Sequence, residues 1–147
     1  METWKRIPLY LVAVTYLLLG AAASNEQYQM FLNKHHDNPT TKIENSGYCD
    51  ILMNYRKLIQ SCVPMNIFIH ASETQLQDVC GDGGVPYHGT GNRQSRQSYP
   101  VTICRLGVVT RTRRCIYYAT YSNMRLFLSC DENNLPVLLD EVLTLGS

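Results

Sequence analysis

Between Cys62 and His70 the chain alternates: Val63, Met65, Ile67 and Ile69 fall on one face of an extended segment, and Pro64, Asn66, Phe68 and His70 fall on the other. The spacing predicts a strand that opens at a cysteine. Upstream the period becomes helical. Tyr28, Phe31, Leu32 and His35 recur at i, i+3, i+4 and i+7 behind a Ser24/Gln27 capping box, and Asp37-Asn38-Pro39 stops them. Tyr48, Ile51, Leu52, Tyr55, Leu58 and Ile59 repeat the spacing in a second amphipathic helix, with Arg56 and Lys57 beside the stripe. Ser72 and Gln75 offer another capping box to a short third helix carrying Leu76, Val79 and Cys80, ended by Gly81.

From Gly81 to Ser98 the chain is rich in Gly, Asn, Ser and Arg, which predicts a loop with at most a short strand. Four runs then follow that are dense in Val, Ile, Tyr, Leu and Phe: Tyr99 to Leu106, Cys115 to Tyr121, Met124 to Cys130 and Pro136 to Leu143. The Arg-rich Gly107 to Arg114, Ser122-Asn123 and Asp131 to Asn134 separate them as turns. Three helices followed by an antiparallel sheet make an α+β domain, and no internal repeat or second domain is visible.

The chain has 147 residues, and its start looks separate from the fold. Lys5 and Arg6 precede the apolar run Ile7 to Leu19, and Gly20-Ala21-Ala22-Ala23 supplies small residues before Ser24. This is the order of a secretory signal peptide, residues 1–23, leaving 24–147 as a single secreted domain. The run is shorter than the ~20 apolar residues a bilayer requires. Removing Glu2, Lys5 and Arg6 from the 13 basic and 12 acidic side chains leaves equal numbers of each. The charges are nevertheless segregated: no Asp or Glu lies between Gly83 and Cys130, where Arg93, Arg96, Arg105, Arg111, Arg113, Arg114 and Arg125 all stand.

The six cysteines contain no Cys-x-x-Cys pair, so they read as three disulfides whose pairing the spacing leaves open. His35, His36, His70 and His88 lack metal-ligand spacing, and phosphate-loop, nucleophile-elbow and zinc-helix motifs are missing, so no metal or cofactor is expected. A lone histidine such as His35 on an apolar helix face reads first as a packed core residue.

Four motifs change that reading. Phe31-Leu32-Asn33-Lys34-His35-His36-Asp37, then Tyr48-Cys49 with Met53 and Arg56, then Cys62-x-x-x-Asn66-x-Phe68-Ile69-His70, and finally Pro136-Val137-Leu138-Leu139-Asp140 together resemble the secreted pancreatic-type ribonuclease superfamily. The six cysteines resemble its angiogenin-like and non-mammalian branch. The resemblance spans the whole secreted part. It implies disulfides Cys49–Cys104, Cys62–Cys115 and Cys80–Cys130, and three helices on a bent, V-shaped antiparallel sheet whose cleft holds RNA. It also makes His35 the general base, makes Asp140 the residue that orients a second histidine, and places Lys34 and Asn66 at substrate.

The chemistry of the family uses a base, a lysine that stabilises transition-state charge, and a second histidine that protonates the leaving oxygen. Only His35 is retained; Val63 stands at the lysine position, Leu138 at the second histidine, and Ile67 at the threonine that reads the base. The expectation is therefore a ribonuclease-like protein, a monomer, whose cleavage activity is lost or strongly reduced. Its partners would be RNA, a heparan-like glycan or a cell-surface receptor, met by Arg111, Arg113 and Arg114. A weak pyrimidine-type endoribonuclease is the alternative. A host-defence role is a further one, opposed by the even charge balance.

Overall fold

The computed structural model describes residues 8–43, 47–89 and 91–147. Lys5 and Arg6 of the expected signal peptide, and Thr90 of the 81–98 segment, lie outside them. In chain order the elements are α1 (Leu9–His35), α2 (Tyr48–Tyr55), β1 (Met65–Ile69), α3 (Glu73–Val79), β2 (Gly84–Pro86), β3 (Asn92–Val109), β4 (Cys115–Cys130), β5 (Pro136–Leu139) and α4 (Glu141–Leu145). The sheet is antiparallel with order β1-β3-β4-β5, and β2 pairs with the start of β3.

The α+β class holds, but the expectation of three helices is corrected: four form among the described residues. The run Pro136 to Leu143, read as one strand, divides at Asp140. There the carboxylate accepts the Leu143 N–H at 3.0 Å and caps α4. The first helix begins at Leu9, so Ser24 stands inside it rather than at its cap. No helix among the described residues is long and apolar enough to cross a membrane. The second helix closes at Tyr55, before the expected Leu58 and Ile59, and Lys57 follows with a left-handed φ of 59°. The Ser72/Gln75 capping box of α3 is complete in both directions.

The strands are longer than their apolar runs. Ser122 and Asn123 do not turn the chain; they pair with Val101 and Pro100 inside a continuous β3/β4 ribbon. Asn92 to Ser98, expected as loop, already belongs to β3. Both departures have one cause: a ribbon with one solvated face takes polar residues without breaking its ladder.

Two apolar clusters lie on either side of β1. Tyr28, Phe31 and Leu32 of α1 pack with Ile67, Ile69, Val101, Ile103 and Leu126. Tyr48, Leu52 and Met53 of α2 pack with Phe68 and Tyr117. Ile67 is fully buried, so the face it shares with Ile69 is core surface. Val63 does not share that face. It packs with the Phe68 cluster, because β1 starts only at Met65 and Cys62, at φ 44°, turns the chain before it. The disulfides join Cys49 with Cys104, Cys62 with Cys115 and Cys80 with Cys130, at Cα separations of 5.6, 5.5 and 5.9 Å. These are the pairs the resemblance implies. Closing loops of 50 to 55 residues, each contributes about 4 kcal/mol through the unfolded chain.

The end of α1 is held by a polar junction. Arg56 donates to the Asn33 and His36 carbonyls, and adds a second donor to the Leu32 carbonyl, which already accepts the His36 N–H. Buried Asp37 accepts from the Tyr48 hydroxyl at 2.6 Å and from both the N–H and the hydroxyl of Thr41, with Arg56 3.8 Å away. His70 bonds the Asp37 carbonyl through one ring nitrogen and the Thr102 hydroxyl through the other. Asp37→Ala is expected to lower stability by about 3 to 5 kcal/mol, since it strands the Tyr48 hydroxyl without its acceptor and Arg56 without its counter-charge. Urea unfolding of the variant beside the parent protein checks this.

Candidate functional site

His35 sits in the last turn of α1 and is only 3% exposed. Its Nδ1 lies 2.8 Å from the Ile67 carbonyl oxygen, which can only accept, so Nδ1 carries the proton and Nε2 carries the lone pair of the neutral ring. Burial pulls its pKa down to about 4, against the pull of the Ile67 carbonyl, and the Lys34 charge adds to the fall. The ring is therefore neutral at physiological pH, with the lone pair on Nε2.

The residue before it is tied to the same strand. Asn66 Nδ2 donates to the Lys34 carbonyl at 2.8 Å, and this bond fixes the amide's orientation. Asn66 Oδ1, left over and buried, has no donor among the described residues. The Lys34 side chain is exposed. Paired residues 66–67 of β1 thus grip consecutive residues 34–35 of α1.

Sequence reading missed Glu141. It follows the Asp140 cap in the first turn of α4, and its carboxyl accepts from the Ile67 N–H. One of its oxygens is buried without a partner among the described residues. Burial raises its pKa, offset by Lys34 and the Ile67 N–H, with Asp140 adding to the rise. Both polar groups of Ile67, at a free edge of β1, are therefore taken by side chains: His35 on the carbonyl and Glu141 on the N–H. The adjacent acids Asp140-Glu141 after an apolar run were the available signal of a helix start.

The other site positions divide. Leu138 is 65% exposed on β5, opposite Ser129. Val63 is partly buried, and its carbonyl accepts the Tyr117 hydroxyl at 2.7 Å. Asp140, implied as an orienting carboxylate, serves as the α4 cap. Arg111, Arg113 and Arg114 are exposed at the tip of the β3/β4 hairpin, away from His35 in the sheet. The Cys62–Cys115 bridge brings that tip to the Val63 end of β1. Beneath it Gly107 has no side chain because the Tyr118 ring fills the space a Cβ would need. Among the described residues no cluster of His, Cys, Asp or Glu could hold a metal ion.

The histidine gives a pH signature. Its folded pKa lies below the ordinary value of 6.5, so the unfolded chain takes the proton first. Stability is full above about 6.5 and falls as pH drops toward about 4, by on the order of 3 kcal/mol. Glu141, raised by burial, works in the opposite sense across that window, so a Glu141→Gln background isolates the histidine. A ring-proton NMR titration with its midpoint about 4, and unfolding curves against pH with His35→Gln beside them, check both statements.

Comparison with known proteins gives a consistent answer. The family model described as pancreatic ribonuclease matches residues 26–140. Angiogenin of Saguinus oedipus is 39% identical over 121 residues, covering 82% of this chain and 81% of its own. The pancreatic ribonuclease of Iguana iguana is 36% identical over 121 residues, covering 81% of this chain and all of its own. The crystal structure of green turtle egg white ribonuclease superposes with a TM-score of 0.71 at 34% identity, over 78% of this chain and 97% of that one. The X-ray structure of zebrafish RNase5 gives 0.70 at 31%, over 82% and 97%. On this ground the chain belongs to the pancreatic ribonuclease family, as a secreted, extracellular member of the angiogenin-like type with three disulfides.

Proposed function

We propose that this protein is a ribonuclease-like binding protein whose RNA cleavage is lost or strongly reduced, and that its basic hairpin meets a polyanion. The observation that carries the reading is Leu138: at the position where the family resemblance places the proton donor, an apolar side chain stands 65% exposed on β5. Val63 leaves the lysine position equally without charge. Losing a general acid costs about 10² to 10⁴ in rate, and losing an electrostatic donor costs about 2.7 to 4 kcal/mol. The two losses need not add. Either alone leaves a poor catalyst. Glu141 supports the same reading, since its carboxylate occupies the Ile67 N–H, beside the side chain that replaces the base-reading threonine.

Binding rests on the arginines. Arg111, Arg113 and Arg114 are exposed on a hairpin whose strands carry no carboxylate, and Tyr118 and Tyr121 on β4 are exposed for stacking. The second reading, a weak endoribonuclease, is favoured by one observation: His35 holds the tautomer a base requires.

Cleavage of RNA by the secreted protein separates the two readings. Turnover is expected at least about 10²-fold below an active family member, with recovery in Val63→Lys plus Leu138→His. Near-normal turnover abolished by His35→Ala would overturn the reading. For binding, alanine at Arg111, Arg113 and Arg114 is expected to flatten the salt dependence of single-stranded RNA affinity by about 2 in log–log slope. No retention of the protein on RNA or heparin at low salt ends that half of the reading.

A further inference from the structure

The far end of the β3/β4 hairpin carries a sequence whose spacing a polyanion does not require. Arg111-Thr112-Arg113-Arg114 places arginine at the first, second and fourth positions before the peptide bond to Cys115. The four residues lie beyond the last ladder pair, Val109 with Cys115, and all are exposed. Among the described residues no carboxylate pairs with their guanidinium groups. Pockets lined with carboxylates can therefore take each of them without competing against an internal ion pair.

The backbone there is as accessible as the side chains. An endoprotease binds its substrate as an extended strand, so a folded protein is cut only where a short stretch leaves its fold at little cost. Three bonds from main-chain N–H groups close this turn: Thr110 to the Arg114 carbonyl at 2.9 Å, Arg113 to the Thr110 carbonyl at 2.9 Å, and Arg114 to the Thr110 hydroxyl at 3.0 Å. Little apolar surface holds it down, since Val108 and Val109 just below are each 50% exposed. Arg113 has a left-handed φ of 61°, which extension of the chain relieves. The ladder shifts register between Leu106 and Val108, so the tip can peel from that point while the ribbon below stays paired. The other basic pair of the secreted part, Arg56-Lys57, differs: Arg56 is spent on three carbonyls and lies 3.8 Å from Asp37.

We infer that this tip is an endoproteolytic site, cut on the carboxyl side of Arg114 by a protease of paired-basic specificity whose acidic pockets take Arg114, Arg113 and Arg111. The inference does not rest on the polyanion reading, because a polyanion reads only the side chains whereas a protease needs the main chain as well. In the step, water adds to the Arg114 carbonyl carbon and the bond to the Cys115 nitrogen breaks. The products are an Arg114 carboxylate and a Cys115 α-ammonium. No piece is released: Cys62–Cys115 and Cys80–Cys130 both span the cut, so the two chains stay covalently joined and β4 keeps its ladder to β3. The product is a two-chain molecule whose three arginines are freed from the turn, with a new carboxylate beside them.

The test incubates the folded, disulfide-bonded secreted protein with a purified proprotein convertase of paired-basic specificity, followed by intact mass and by gels run with and without reductant. The expected product gains the mass of one water, runs as one band without reductant and as two with it, and has a second N-terminus beginning at Cys115. Arg114→Ala should abolish the cut. Arg111→Ala, which keeps the adjacent pair and removes only the fourth-position charge, should slow it about tenfold or more. Both side chains are exposed and unpaired among the described residues, so both variants should unfold at the parent's temperature. Resistance of the protein until it is heated or reduced overturns the inference, as does a new N-terminus anywhere other than Cys115. So does an equal rate in Arg111→Ala, or rates that follow the variants' unfolding temperatures rather than the arginine removed.

Discussion

The junction at the end of α1 is the constraint on which the rest of the molecule depends. A helix terminus buried against a sheet exposes carbonyls that must find donors, and Arg56 supplies them to Asn33 and His36, with a second donor to Leu32, from the neighbouring α2. The guanidinium in turn lies beside Asp37, whose oxygens collect Tyr48 and Thr41. Burial alone would raise the Asp37 pKa, but those hydrogen bonds and the His70 charge outweigh it and lower it. Fixing Asp37 fixes the register of α1 along β1. With that register set, Lys34 falls opposite Asn66 and His35 opposite Ile67, and the cleft's geometry follows.

Much of this was legible in the sequence because periodicity reports burial. The stripe Tyr28, Phe31, Leu32, His35 is the stripe that packs, and the Ser72/Gln75 box is the box that forms. What was not legible depended on distant partners. Ser122 and Asn123 look like a turn by composition, but the ladder to Pro100 and Val101 carries them straight through. Asp140 looks like the end of a strand; with Glu141 after it the pair was a local signal of the helix it caps, but the burial of the Glu141 carboxyl beside Ile67 depends on a distant strand. Val63 was placed by alternation on the Ile67 face. Alternation assumes an extended backbone, and Cys62 at φ 44° breaks that assumption one residue earlier.

The three positions of the cleft differ in what else they do, and that difference accounts for what they hold. His35 does structural service: its ring is buried against Phe31 and its Nδ1 satisfies a carbonyl at a free sheet edge, so an apolar replacement leaves that carbonyl unpartnered. Val63 is held through its main chain, by the Tyr117 hydroxyl on its carbonyl, a bond indifferent to the side chain. Leu138 projects largely into solvent and supports nothing. The fold therefore penalises loss of the histidine, engages the Val63 side chain through its partly buried place in the Phe68 cluster, and leaves Leu138 largely in solvent. It follows that a retained His35 is explained by packing and edge satisfaction without any demand for catalysis, whereas the exposed side chain at 138 has no such structural duty. The apolar identity of Leu138 therefore weighs more in reading this cleft than the retained histidine.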